Sequence, residues 1–205
     1  MDYGLYIITD DDLTPGSSHV RIAQDALIGG ARIIQLRDKK RSGAELYAIA
    51  KEIRNLCNMY NAGFIVNDRV DIALLSGADG VHLGQDDLPL TVVRPLFPPP
   101  FIIGISVGSV DEAVLAEEGG ADYLGVGPIF STETKKDAGS AVGTEMIRKI
   151  RENVAIPIVA IGGIKLSNTR EVIAAGADGI AVISAVICSP DISVAAKKFA
   201  DLINR

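Results

Sequence analysis

The chain has 205 residues, 48% of them hydrophobic and 22% charged, the balance of a globular α/β protein rather than a disordered or membrane-embedded one. Its net charge of −6 excludes bulk attraction to nucleic acid or an anionic membrane, so an anionic small molecule would need a local positive site. Cys57 and Cys188 show no metal-ligand or disulfide spacing, no apolar run approaches the ~20 residues of a membrane span, and Asp2 stands where a signal peptide would be basic. A cytoplasmic protein is expected.

In chain order, an apolar run at 3–9 reads as a first strand, followed by an acidic turn at 10–12. Ser17 or Ser18 caps a helix that ends at Gly29 and Gly30. Strands two to four are expected at 31–36, 63–66 and 79–83. A long amphipathic segment opened by Ser42 and a short helix at 70–75 lie between them. A Pro-rich break at 95–100 precedes strand five at 101–105 and a helix at 109–118. Strand six at 123–126 runs into Gly125, Gly127 and Pro128. Then follow a helix at 144–153, strand seven at 156–161, a helix at 168–174, strand eight at 179–183 and a closing helix at 193–203.

An internal echo organises this series. Gly30-Ala31-Arg32, Gly77-Ala78-Asp79, Gly120-Ala121-Asp122 and Gly176-Ala177-Asp178 each precede an aliphatic strand, the even-numbered ones. Glycine ends each helix in a left-handed cap, and the chain turns at once into the next strand. Eight strands in βαβα quarters predict a single (β/α)8 barrel over residues 1–205, with an open doubly wound sheet as the alternative.

In such a barrel the chemistry sits at the C-terminal strand ends. Strand two ends Gln35-Leu36-Arg37-Asp38-Lys39, and alternation puts Gln35 and Arg37 on one face. Strand three ends Asn67-Asp68-Arg69, and strand four runs through His82 to Asp86 and Asp87. Two carboxylates above neighbouring strands suit a Mg2+ that takes its remaining ligands from a diphosphate and water. Helix capping is the other reading of the same residues. His82 lacks a second ligand at metal spacing and reads as a structural imidazole. Ser106 at the end of strand five has no G-x-S-x-G context and no partner histidine, so it reads as a hydrogen-bonding group rather than a nucleophile. After strand six, Thr132 and Thr134 precede Lys135 and Lys136, donors and cations suited to a phosphate. Gly162-Gly163 and Ile183-Ser184 end strands seven and eight, the usual phosphate cradle of this fold. The ends thus supply a diphosphate site with Arg37, Lys39, Lys135 and a metal, and a monophosphate site near Gly163 and Ser184.

Taken together and in order, Q-L-R-D-K at 35–39, N-D-R-V-D-I-A at 67–73, G-V-H-L-G-Q-D-D at 80–87 and G-V-G-P-I-F-S-T-E-T-K at 125–135 resemble the thiamine phosphate synthase family. I-G-G-I at 161–164 and I-S-A at 183–185 extend the resemblance over nearly the whole chain. It implies a (β/α)8 barrel that condenses 4-amino-2-methyl-5-(diphosphooxymethyl)pyrimidine with 4-methyl-5-(2-phosphooxyethyl)thiazole and releases pyrophosphate. It further implies that Gln35, Arg37, Lys39, Asn67, Ser106 and Lys135 hold the pyrimidine diphosphate, with Arg37, Lys39, Lys135 and Ser106 as the catalytic set. Asp68 and Asp87 would hold Mg2+; residues 132–134, Gly163, Ile183 and Ser184 would hold the thiazole phosphate. Gly108 departs from the S-x-H of many relatives. The polar segment 131–140 is a candidate lid. Rival readings are a thiazole tautomerase, which needs a general acid or base where Pro128 stands, and a non-catalytic phosphate-binding barrel. The partners expected are small molecules, with a homo-oligomer possible.

Overall fold

Short β-branched runs with no alternation need burial on both faces, and a parallel barrel wrapped in helices provides it. The computed structural model describes residues 1–132, 134 and 139–203. Strands β1 (Leu5–Thr9), β2 (Ile33–Leu36), β3 (Gly63–Asn67), β4 (Gly80–Leu83), β5 (Ile102–Val107), β6 (Tyr123–Val126), β7 (Ile158–Ile161) and β8 (Gly179–Val182) pair in parallel and in sequence order. β1 also pairs with β8, so the sheet closes. The open-sheet alternative falls on that pairing.

Helices α1 (His19–Ile28), α2 (Gly43–Met59), α3 (Val70–Ser76), α4 (Leu90–Val93), α5 (Val110–Glu118), α6 (Gly143–Arg151), α7 (Thr169–Ala174), α8 (Ser184–Ile187) and α9 (Ile192–Ile203) occupy the outside. Their starts follow the sequence. Ser18 caps α1 and Ser109 caps α5 through their side chains, and Ser42 with Glu45 forms a reciprocal capping box on α2. The two four-residue helices, α4 and α8, add to the elements expected from sequence, because one turn carries no hydrophobic period. Pro89 opens α4 and Pro95 follows it, which keeps it short. Among the described residues no helix is long and apolar enough to cross a membrane.

The repeated Gly-Ala-Asp turns fix the N-terminal end of the barrel. Gly30, Gly77, Gly120 and Gly176 all adopt positive φ, between 73° and 107°, as a left-handed cap demands. The aspartate two residues later performs one task three times. Asp79 Oδ2 accepts from the backbone N–H of Phe64 (2.7 Å) and from Arg54 (2.6 Å). Asp122 accepts from Ile103 N and Arg94, and Asp178 from Ile158 N and Arg151. Each carboxylate thereby ties an even strand to the start of the preceding odd one. In the first quarter the charge is reversed: Arg32 pairs with Asp2 at 3.2 Å.

Candidate active site

At the opposite end, the C-terminal strand ends of β2 to β8 enclose a cavity of ≈720 Å3. Its charged wall is organised by the acidic turn after β1. Arg37 pairs with Asp10 (3.1 Å), Arg41 with Asp11 (2.6 Å) and Lys40 with Asp12 (2.7 Å). Beneath this ladder, buried His19 meets Thr9 Oγ1 at 2.8 Å, Asp11 at 3.2 Å and Asp38 at 3.1 Å. Among the described residues, Asp11, His19 and Asp38 are also the cluster whose donor atoms would suit a metal. Arg41 already bonds both of those carboxylates, so the cluster reads as an ion network that holds the loop after β2. Burial opposes ionisation of Asp38, yet the backbone N–H groups of Arg41 and Lys40, His19 and the Arg41 guanidinium outweigh it. Its carboxyl lies well below the usual range.

Asp68 and Asp87 behave differently. Asp68 sits at the end of β3 with φ of +61°, and its N–H donates to His82 O at 2.9 Å, which turns its side chain toward the cavity. Burial pushes its carboxyl up to about 6, and the facing Asp87 carboxylate adds to that rise, while Lys39 and Arg37 oppose it. Lys39 Nζ stands 3.9 Å from Asp68 Oδ2. The capping alternative does not describe Asp68: helix α3 is preceded by Arg69 and has no side-chain cap. Asp87 does bind backbone, accepting from Gly84 N at 2.7 Å, but within a turn ahead of α4. Two hard carboxylates driven together in a half-buried wall form a donor pair for a divalent cation.

Behind this wall a line of polar side chains crosses the lumen. Gln35 Nε2 donates to Tyr6 Oη (2.7 Å), Tyr6 Oη meets Tyr123 Oη (3.0 Å), Tyr123 Oη meets His82 Nδ1 (2.9 Å), and His82 Nε2 meets Ser106 Oγ (2.9 Å). β1 and β6 are not neighbours in the sheet, so the tyrosine pair spans the barrel interior. Two glycines make the room. A Cβ on Gly104 would lie 2.1 Å from Tyr123 Cζ, and one on Gly125 would lie 2.8 Å from His82 Cε1. Ser106 therefore does have a histidine partner, contrary to the sequence reading. The two lie 24 residues apart on adjacent strands, a separation at which no motif announces the pair.

The far side of the cavity presents hydroxyls and backbone. Thr134 Oγ1 meets Ser184 Oγ at 2.9 Å, and Thr134 N donates to Thr132 Oγ1 at 3.2 Å, which joins the loop after β6 to the start of α8. Gly163, at φ of +64°, packs so closely on Phe130 and Ser131 that a Cβ would lie 2.7 Å from Ser131 O.

Of the residues singled out in the sequence, the cavity brings together Arg37, Lys39, Asn67, Asp68, Asp87 and Ser106 on one side, and Thr132, Thr134, Gly163, Ile183 and Ser184 on the other. Gln35 is set apart. It is 2% exposed, lies off the cavity lining and commits its amide to Tyr6. Lys135, with Glu133 and most of the candidate lid, lies outside the described residues. Tyr6 and Tyr123 carry polar roles that hydrophobic patterning assigns to core packing, and His19, which the sequence did not single out, joins Thr9, Asp11 and Asp38.

The family model described as thiamine monophosphate synthase matches residues 5–186. A thiamine-phosphate synthase of Methanospirillum hungatei is 71% identical over 203 residues, which is 99% of this chain and 98% of the relative. That of Methanocella arvoryzae is 50% identical over 205 residues, 100% and 97% of the two chains. Among solved structures, a thiamine phosphate pyrophosphorylase from Pyrococcus furiosus aligns with a TM-score of 0.92 at 47% identity, covering 99% of this chain and 96% of that one. A 3-hexulose-6-phosphate synthase, 16% identical with a TM-score of 0.75, shares the fold alone.

Proposed function

The chain belongs to the thiamine monophosphate synthase family, and from that premise we infer that it is a transferase joining the pyrimidine diphosphate to the thiazole phosphate with release of pyrophosphate. One observation carries the reading: Arg37, Lys39, Asp68 and Asp87 stand on one wall of a cavity whose other wall carries Thr134 and Ser184. That is room and charge for two phosphorylated molecules side by side.

The reaction needs no protein nucleophile. The aminopyrimidine delocalises positive charge, so the bond from its methylene carbon to the diphosphate oxygen breaks first. The thiazole nitrogen then supplies the electron pair for the new C–N bond. The chain's part is to bind, align and neutralise. Arg37 and Lys39 stabilise the departing diphosphate, with Lys135 and Asn67 assigned to the same group. Ser106 donates a hydrogen bond to the pyrimidine diphosphate. Thr132, Thr134, Gly163, Ile183 and Ser184 hold the thiazole phosphate in line. A divalent cation, Mg2+ in this reading, would be held by Asp68 and Asp87 and would supply further charge neutralisation to the leaving group. The candidate lid, 131–140, would exclude water from the pyrimidine cation, and the enzyme works in the cytoplasm.

The tautomerase reading lacks its acid or base, since Pro128 occupies that position on the cavity wall. Pyrophosphate release measured with both substrates, with and without Mg2+, tests the proposal. Release should require both substrates and the metal. Proton exchange on the thiazole alone would favour a tautomerase, and binding without turnover a non-catalytic barrel.

A further inference from the structure

The lumen of the barrel holds a hydrogen-bonded line whose direction can be worked out atom by atom. Its far end is the Gln35 amide, buried, with Nε2 bonded to Tyr6 and Oε1 without a partner. An amide nitrogen can only donate. Tyr6 Oη therefore accepts from Gln35, and its own proton points to the remaining neighbour in the line, Tyr123 Oη. Tyr123, accepting from Tyr6, turns its proton to His82 Nδ1. Neutral imidazole that accepts at Nδ1 carries its hydrogen on Nε2, which then donates to Ser106 Oγ. In this state every phenolic proton in the line has an acceptor.

Building on the function read above, we infer that Gln35, Tyr6, Tyr123 and His82 are positioning residues that set the direction of the Ser106 hydroxyl. By filling an Oγ lone pair from His82 Nε2, they commit the Ser106 proton to the cavity, where the diphosphate offers acceptors only. The same order removes a rival role. A histidine activating Ser106 as a nucleophile would need its lone pair at Nε2, and the relay places a proton there. Gln35 thus serves the substrate from beneath the mouth, through four hydrogen bonds, although its side chain lies off the cavity lining. Gly104 and Gly125 belong to the device, since a methyl group at either would displace Tyr123 or the imidazole.

The chain has two histidines, so nitrogen NMR of the 15N-labelled, ligand-free enzyme resolves the tautomer, with His82→Gln assigning the signals. The expected result is an Nε2-protonated His82. Hydrogen on Nδ1 would mean that the line runs the other way and that Ser106 donates back to His82, which overturns the proposal. In Tyr123→Phe, the His82 signals should shift toward a mixture of tautomers. Its kcat should fall about tenfold, the equivalent of one well-placed hydrogen bond, with KM for the pyrimidine diphosphate changed by less than about threefold. In a Ser106→Ala background the same substitution should lower kcat no further, and undiminished loss there would show that Tyr123 does not act through Ser106. Should Tyr123→Phe fail to fold, the wild-type spectrum decides alone. Absence of turnover with both substrates in the wild type would instead count against the function, whatever the tautomer.

Discussion

The two ends of this barrel carry similar residues in opposite states. At the N-terminal end, Asp79, Asp122 and Asp178 each have an arginine and a backbone N–H for partners, and each carboxylate is engaged in holding strand to strand. At the C-terminal end, Asp68 faces Asp87 and its carboxyl is driven upward, while the Lys39 ammonium stands off at 3.9 Å. Aspartate built into a fold is paired. Aspartates that face their own kind are what the proposed metal site requires, and stability lost there would be available for binding.

The largest effect expected from breaking the contrast is at Asp68. Asn keeps the size and tolerates the left-handed backbone of that position, so Asp68→Asn isolates the charge. Turnover should fall about a thousandfold, roughly 4 kcal/mol of transition-state stabilisation. Relief of the Asp87 repulsion should leave the thermal midpoint equal or higher, and thiazole phosphate binding should persist. Calorimetry and steady-state kinetics on one preparation read all three, and a variant that loses stability along with activity would erase the distinction between the ends. Asp122→Ala is the mirror case. It strands the Ile103 N–H and removes the only carboxylate among Arg94's described partners, leaving that guanidinium on the carbonyls of Gly120, Phe97 and Phe101, for a stability loss of about 2–3 kcal/mol, with kcat unchanged. Urea unfolding and the same kinetic assay decide it.

How far each end was legible beforehand follows the same division. The Gly-Ala-Asp turns repeat in the sequence because a closed barrel poses one structural problem four times, and a repeat is visible in a single chain. The bounds of β6 and the opening of α2 at Ser42 were equally plain, and the cap of α1 was narrowed to Ser17 or Ser18, since local chemistry decides them; Ser109, read as the first residue of a helix, is instead the cap of α5. At the other end, Arg37, Lys39, Asp68 and Asp87 could be picked out as strand-end polar residues, but not the acidic ladder that holds Arg37 and the loop after it. Asp10, Asp11 and Asp12 meet cations 27 to 30 residues on, and only the pairing of β1 with β2 brings them together. The lumenal line was hidden more deeply. Tyr6 and Tyr123 lie 117 residues apart, on strands that never pair, and in the sequence each is one more apolar residue in a buried strand. Ser106 looked partnerless for the same reason.

Asp38 sharpens the comparison, because it lies at the catalytic end yet is paired like the structural aspartates. Its oxygens take the N–H groups of Lys40 and Arg41, the Arg41 guanidinium and His19, and its carboxyl is depressed below the usual range. A carboxyl with a lower pKa folded than unfolded binds more protons in the unfolded state. Its contribution is complete above the unfolded value of about 3.9 and drains away as pH falls through the folded value. Asp38→Asn should therefore be less stable than wild type at neutral pH, by about 1–2 kcal/mol, and the gap should narrow steadily below about pH 4. Urea midpoints from pH 7 downward measure it. A gap independent of pH would mean that the substituted amide loses packing rather than charge, and a catalytic defect without any loss of stability would put Asp38 in the company of Asp68 instead.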